Sequence, residues 1–317
     1  MAKNVNLIGR NLYDLDTYSS AEIETIFETT QVMKSIIKRD YKKIPTLRGK
    51  TVCTLFFEDS TRTRISFELA AKRLSADVIS FTKAGSSLKK GESLQDTVYT
   101  LDAMGVDLYV IRHGCPGTPA LVHKYSDKPV LNAGDGKHAH PTQALLDMFS
   151  IWEKKGTLDG LKITIVGDIL HSRVARSNCI GMKKMGAEVT VCAPRTLMPP
   201  KIEKVYGVKA EYDLYKAVQE ADAVMALRIQ MERQSEGLFP SLGEYSQKYG
   251  LNKNVLEQTK DDVLIMHPGP MNRGIEIFPE VADSEHSVII EQVTNGLAVR
   301  MALLFLILGG KAAKEVK

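Results

Sequence analysis

The chain has 317 residues, 44% hydrophobic and 25% charged, enough for two ordinary domains with their own cores. A formal net charge of +4 is too small to drive nucleic-acid binding by bulk charge, yet it leaves room for a locally basic pocket that takes anions. Met1 to Tyr13 is polar and mixed, unlike a signal peptide, and Cys53, Cys115, Cys179 and Cys192 lack metal-type spacing, so a cytoplasmic protein with packed thiols at Cys53 and Cys192 is expected.

Ser19 with Glu22 three residues on has the form of a capping box and predicts a helix to about Lys38. Strands are predicted at Thr51–Phe57, Val78–Phe81, Leu108–Arg112 and Val130–Asn132, with helices starting near Ser60, Ser93 and Thr118. That alternation implies a parallel sheet wrapped by helices. A long helix is predicted from His140-Pro141 to about Lys155, since proline suits the first helical position. After a break at Gly156 to Gly160, a second α/β set is predicted. Its strands are Lys162–Val166, Glu188–Cys192, Ala223–Leu227 and Val263–Met266, and its helices are Ser172–Met185, Leu214–Glu220 and, last, Thr294–Leu308. The most apolar stretch, Leu297 to Leu308, is too short to span a bilayer and contains Arg300, so it reads as a core helix and no membrane is expected. Gly167-Asp168 follows a strand, but G-x-G-x-x-G is absent, so a dinucleotide fold is not signalled.

The most informative segment runs from Phe56 to Arg64, where a β-prone run turns into a helical pattern. Ser60, Thr61 and Thr63 fall in the first helical turn, whose N–H groups lack intrahelical acceptors and sit at the positive end of the helix dipole. Arg62 and Arg64 add planar donor forks, and the whole describes an oxyanion site of the phosphate type. Taken alone, the same residues also read as an ordinary N-cap and a charged helix surface.

Four further clusters fall at strand ends or helix starts, where open α/β sheets bind ligands. Lys89 and Lys90 lie in a Gly- and Ser-containing loop, Gly85 to Glu92, that reads equally as solvated surface. Arg112-His113 closes a strand, either as its exit to water or as an arm into a crevice. In the third cluster, His140 offers a hydrogen-bond donor for an oxyanion and Gln143 both a donor and an acceptor. His138 and His140 lack a partner acid or cysteine at metal-ligand spacing, so no metal is expected. Arg173, Arg228, Arg233 and Arg300 form a fourth set that suits a substrate with two carboxylates, and strand period two places Gln230 on the side of Arg228. No nucleophile or general base stands out, so chemistry would rest on positioning and charge stabilisation.

These motifs occur in one order: Ser60-Thr61-Arg62-Thr63-Arg64, Val130 to Gly136, His140-Pro141-Thr142-Gln143, Arg228-x-Gln230-x-Glu232-Arg233 and His267-Pro268-Gly269-Pro270. Together they resemble the catalytic chains of aspartate carbamoyltransferases, within the aspartate/ornithine carbamoyltransferase superfamily, over almost the whole length. The resemblance implies two doubly wound parallel-sheet α/β domains bridged by two helices. A carbamoyl phosphate domain, 1–145, would be completed by 294–317, and 146–293 would take L-aspartate. It further implies a homotrimer with shared active sites, no cofactor, and a place in de novo pyrimidine biosynthesis. Ser60, Thr61, Arg62 and Thr63 would hold phosphate. Thr63, Arg112 and His140 would stabilise the carbonyl oxygen, and Gln143 would orient the carbamoyl nitrogen. Arg173 would grip the α-carboxylate, Arg228 and Gln230 the side-chain carboxylate, and carbonyls near Gly269 and Pro270 would touch the reacting amine. Lys90, with Ser86 or Ser87, would reach in from the neighbouring chain, and Glu58, Glu232 and Arg233 would orient the arginines.

Two departures from the family pattern stand out. Ser87 to Glu92 lacks a glycine that many relatives carry before the lysines. The run Met271 to Glu276 matches a bacterial branch whose chain associates with dihydroorotase, which makes that segment a candidate contact. The alternative enzyme, an ornithine carbamoyltransferase, usually carries His-Cys-Leu-Pro where this chain has His267-Pro268-Gly269-Pro270, and no cysteine follows Cys192. A non-catalytic homologue would show loss of a phosphate or oxyanion residue, and none is missing.

Overall fold

The computed structural model describes residues 5–58, 60–82, 92–229 and 241–309. The chain forms two compact units, one of residues 1–143 and 294–317 and one of residues 144–293.

The first unit opens with α1, Ser20–Ile37, whose capping box forms as expected. The Ser19 amide donates to Glu22 Oε2 at 2.7 Å, and Ser19 Oγ accepts from the Glu22 amide at 3.3 Å. β1 (Thr51–Phe56), α2 (Thr61–Arg73), β2 (Asp77–Thr82), α3 (Leu94–Ala103), β3 (Leu108–His113), α4 (Thr118–Tyr125) and β4 (Val130–Asp135) follow. All strand pairs are parallel, in the order β2-β1-β3-β4. Helical cover on both faces explains why β1 and β4 are near-continuous buried runs with no alternation. Cys53, Leu55, Tyr109, Ile111 and Val122 share one core cluster, and the Tyr109 hydroxyl donates to Asp102 at 2.6 Å. Because β2 and β3 lie on opposite sides of β1, the chain reverses its winding there, and the switch point opens a crevice at the carboxyl ends of β1 and β3.

α5, Pro141–Lys155, starts in the first unit and ends in the second. The second unit continues with β5 (Lys162–Val166), α6 (Arg173–Lys184), β6 (Glu188–Cys192), α7 (Ile202–Tyr206), β7 (Lys209–Glu211), α8 (Leu214–Val218) and β8 (Ala223–Ala226). Then come α9 (Leu242–Tyr249), α10 (Lys253–Leu256), β9 (Leu264–Met266), α11 (Pro279–Ala282) and α12 (Ile289–Leu308). The parallel order β7-β6-β5-β8-β9 places a second switch point between β5 and β8.

Three features differ from the sequence reading. β7 adds an edge strand that was not expected, since Lys-Ala-Glu carries no apolar run and its residues are exposed or half-buried. The short helices α7, α9, α10 and α11 were also not assigned. The last helix begins at Ile289 and not at Thr294, and its first turn buries both Ile289 and the polar Gln292. By length and composition alone α12 is apolar enough to cross a membrane. Ala298, Val299 and Met301 to Leu304 are nevertheless buried, as a core helix requires. Burial also pushes the Cys53, Cys179 and Cys192 thiols up to about 12, so these cysteines are packing groups.

Candidate active site

In the first unit the residues singled out from sequence gather at the carboxyl edge of the sheet. Ser60 is the N-cap of α2, yet its side chain makes no capping hydrogen bond. Helical bonding starts with the Arg64 amide donating to the Ser60 carbonyl at 3.2 Å. The amides of Thr61, Arg62 and Thr63 therefore stand in the turn that helix geometry leaves without intrahelical acceptors. No acidic residue occupies that turn, so nothing on the helix competes with an incoming anion for its positive end. Arg62 is exposed and Thr63 is buried. Arg64 Nε lies 3.7 Å from Glu68 Oε1 along the helix flank.

Arg112 closes β3 in register with Phe56 of β1. Its Nη1 donates to the Ala133 carbonyl at 3.3 Å, and its Nε lies 3.5 Å from Glu58 Oε2. The guanidinium thus lies between β4 and the segment after β1. The next turn is built on Asp135. Its carboxylate accepts from Asn132 Nδ2 at 2.8 Å, from the Ala139 amide at 3.1 Å and from the Gly117 amide at 2.8 Å. His138 Nδ1 lies 3.0 Å from the same carboxylate, so His138 belongs to the loop's frame. His140 is buried just before α5, its Nδ1 3.5 Å from the Thr142 hydroxyl, and its carbonyl accepts from the Gln143 amide at 3.0 Å. Among the described residues no group of three His, Cys, Asp or Glu side chains is arranged to hold a metal.

In the second unit, β5, β8 and β9 are neighbours, and each releases candidate residues from its carboxyl end. After β5, buried Asp168 accepts from the His171 amide at 3.2 Å and pairs with His171 Nδ1 at 2.8 Å, which shapes the turn into α6. Ser172 then caps the helix, its Oγ accepting from the Ala175 amide at 3.1 Å. Arg173, the first residue of α6, is buried. After β8, half-buried Arg228 follows Leu227, whose amide donates to the Val166 carbonyl at 2.7 Å. After β9 comes Pro268-Gly269-Pro270, with the Gly269 amide donating to His267 Nδ1 at 2.7 Å.

Gly167 holds two of these strand ends together. It has φ +136, and a Cβ there would fall 2.6 Å from the Leu227 carbonyl oxygen. Gly167→Ala is expected to cost about 1–3 kcal/mol by overpacking. Because the clash lies next to Arg228, aspartate affinity should fall along with the melting temperature. Calorimetric melting and an aspartate titration of the same variant check both, and an unchanged melting temperature contradicts the close approach.

Some sequence readings change. Arg300 does not join the substrate arginines. It lies in the first unit, where its Nη1 donates to Ser66 Oγ at 2.8 Å and its guanidinium sits 5.2 Å from the Phe67 ring centroid. Glu276 is buried in the second unit against His267 at 3.1 Å and is thereby removed from the partner-facing stretch proposed for 271–276. Lys90, Ser86, Ser87, Gln230, Glu232 and Arg233 lie outside the described residues. Asp168, His171, Asp147 and Gln292 were not assigned from sequence. Asp168 and His171 pair locally, three residues apart, whereas Asp147 and Gln292 are isolated polar residues whose partners become apparent only in the fold.

Two open parallel sheets are thus followed, in one unit, by a helix start without a side-chain cap and, in both, by arginines after the strands. The profile described as "Aspartate/ornithine carbamoyltransferase, carbamoyl-P binding domain" matches residues 10–153, and "Aspartate/ornithine carbamoyltransferase, Asp/Orn binding domain" matches 159–307. The chain belongs to the aspartate/ornithine carbamoyltransferase family. The aspartate carbamoyltransferase catalytic subunit of Moorella thermoacetica is 58% identical over 301 residues, covering 95% of this chain and 98% of that one. That of Syntrophomonas wolfei is 57% identical over 301 residues, covering 95% and 96%. Among solved structures, an ornithine carbamoyltransferase from Pyrococcus furiosus superposes with a TM-score of 0.86 at 33% identity, covering 97% of this chain and 99% of that one. Aspartate transcarbamoylase from Trypanosoma cruzi, in complex with N-(phosphonacetyl)-L-aspartic acid, gives a TM-score of 0.86 at 29% identity, covering 95% and 97%. Fold similarity is thus equal toward the two activities, and residue identity has to separate them.

Proposed function

We propose that the chain is an aspartate carbamoyltransferase that converts carbamoyl phosphate and L-aspartate to N-carbamoyl-L-aspartate and phosphate, in pyrimidine biosynthesis. The observation that carries the choice of aspartate is the presence of two arginines after adjacent strands, Arg173 as the first residue of α6 beyond β5 and Arg228 just past β8, with a His267-Pro268-Gly269-Pro270 turn without cysteine after β9. Two guanidiniums suit two carboxylates and oppose the ammonium of ornithine. The relatives at 57% and 58% identity are aspartate enzymes, which supports the same choice.

In this reading Ser60, Thr61, Arg62 and Thr63 hold the phosphate at the start of α2. Thr63, Arg112 and His140 donate to the carbamoyl oxygen as it becomes an oxyanion, and Gln143 orients the nitrogen. Arg173 takes the α-carboxylate of aspartate, Arg228 and Gln230 take the side-chain carboxylate, and carbonyls near Gly269 and Pro270 orient the amine. The amine attacks the carbamoyl carbon, the C–N bond forms, and the C–O bond to phosphate breaks. The departing phosphate takes the amine proton, so the step needs no protein base. N-(Phosphonacetyl)-L-aspartate carries the anionic groups of both substrates on one frame. It is expected to inhibit competitively with carbamoyl phosphate, whereas inhibition only by the ornithine counterpart would reverse the assignment.

The family resemblance further supports a cytoplasmic homotrimer in which Lys90, with Ser86 or Ser87, serves the neighbouring chain's site. A lysine that closes over bound anions neutralises charge and helps exclude water. Inactive variants altered at Arg62 and at Lys90 should regain activity when trimers are mixed, dissociated and reassociated. Some hybrid sites would then combine an intact Arg62 with a neighbour's intact Lys90. If both residues came from one chain, the mixture would stay inactive. Dihydroorotase is the partner the resemblance favours, through 271–275, and light scattering with and without it reports both the trimer and the complex.

A further inference from the structure

The two elements that the proposed function assigns to aspartate in the second unit, α6 and the turn after β9, are joined by one buried chain of hydrogen bonds. Asn178, on α6 with Arg173, donates through Nδ2 to Asp147 Oδ2 at 2.8 Å. Gln292 of α12 donates through Nε2 to Asp147 Oδ1 at 2.8 Å. Gln292 Oε1 in turn accepts from the His267 amide at 2.9 Å. His267 Nδ1 accepts from the Gly269 amide at 2.7 Å, and its Nε2 lies 3.1 Å from Glu276 Oε1. Asp147, Asn178, Gln292, His267 and Glu276 are all buried.

The direction of every bond is forced. A backbone amide only donates, so Gln292 must turn its oxygen to His267 and its NH₂ to Asp147. By the same logic the Gly269 amide makes His267 Nδ1 an acceptor, so Nε2 carries the proton toward Glu276. Asp147 receives two amide NH₂ groups, a demand that a carboxylate meets and a carboxamide does not. Asn178 is held in this orientation although its own Oδ1 is buried without a hydrogen-bond partner. Its Nδ2 donates to the Val174 carbonyl at 3.1 Å as well as to Asp147, and a backbone oxygen only accepts, so these two acceptors together keep the NH₂ turned toward Asp147.

We propose that Asp147 is a positioning residue for the aspartate half of the reaction. Its carboxylate, on α5, fixes the spacing between the α6 start that carries Arg173 and the Pro268-Gly269-Pro270 turn. The inference rests on the reading that these two elements hold aspartate.

An acid–amide exchange tests it without changing volume. Asp147→Asn turns one NH₂ against another, and Gln292→Glu sets two carboxylates face to face. Combined, they restore every bond. The carboxylate now at position 292 accepts from the His267 amide and from the new carboxamide NH₂ at position 147, whose oxygen still accepts from Asn178. Each single variant is expected to raise the aspartate KM, at saturating carbamoyl phosphate, about tenfold or more, and the double variant to return within about threefold of wild type. Binding of carbamoyl phosphate alone, measured by calorimetry, should stay within about twofold in all three. Single variants that melt earlier but keep the wild-type aspartate KM would make the chain purely structural and overturn the proposal, as would a double variant no better than its parents. If Asp147→Asn does not fold, Asn178→Ala removes only the link to α6, and an unchanged aspartate KM there overturns it equally. A wild-type protein that does not carbamoylate aspartate refutes both the proposed function and this role. An active wild type with unmoved variants refutes only the role of Asp147.

Discussion

His140→Ala is expected to lower kcat about 10²–10³-fold, the usual loss for one oxyanion donor, with a much smaller effect on carbamoyl phosphate binding. The expectation follows from placement. His140 is buried ahead of α5, in a turn held by Asn132 and Asp135, whose frame does not depend on substrate. A donor fixed in advance helps most when negative charge develops on the carbonyl oxygen, so its removal affects the transition state more than the bound ground state. A general base at this position would predict a loss that strongly basic nucleophiles bypass. A donor predicts an equal loss with every amine. Single-turnover rates and calorimetric binding on the same variant separate the two effects, and a wild-type kcat would remove His140 from the mechanism.

The second large effect is expected at Arg228. Arg228→Ala should raise the aspartate KM by about 10–150-fold, corresponding to the 1.5–3 kcal/mol typical of a hydrogen bond to a charged group. The guanidinium follows β8 at the switch point of the second sheet, where Gly167 allows the two strand ends to approach closely. Arg228→Lys should recover only part of the loss, since a point charge does not reproduce bidentate geometry. Steady-state kinetics with aspartate varied and carbamoyl phosphate saturating measures the effect. A KM within about twofold of wild type would mean that the side-chain carboxylate is held elsewhere.

Much of the fold was legible because its signals are local. Parallel strands buried on both faces appear as unbroken apolar runs, and Ser19 and Ser172 cap the helices that begin beside them. The helix start proposed to hold phosphate was legible as a helix start for the same reason, since Ser60 to Thr63 mark it within one helical turn. What could not be read was pairing across sequence distance. Arg300 looked like one more substrate arginine until its contacts with Ser66 and Phe67 placed it in the core of the first unit. Gln292 and Asp147 are 145 positions apart, and nothing in either neighbourhood marks them as partners. Glu276 looked like part of an exposed loop, but the fold turns it inward to His267. In each case the local sequence determined the backbone, and tertiary packing determined what the polar side chain meets.

Whether the second unit selects aspartate can be read from a single labelled reaction. Carbamoyl phosphate carrying ¹³C at the carbonyl carbon should be incubated with purified protein and either L-aspartate or L-ornithine, and the ureido product and phosphate followed together by NMR. Selection by Arg173 and Arg228 predicts labelled N-carbamoyl-L-aspartate and phosphate formed in equal amounts, with no comparable product from ornithine. Carbamoylation of ornithine as fast as aspartate, or phosphate release without a carbamoylated amino acid, would contradict it.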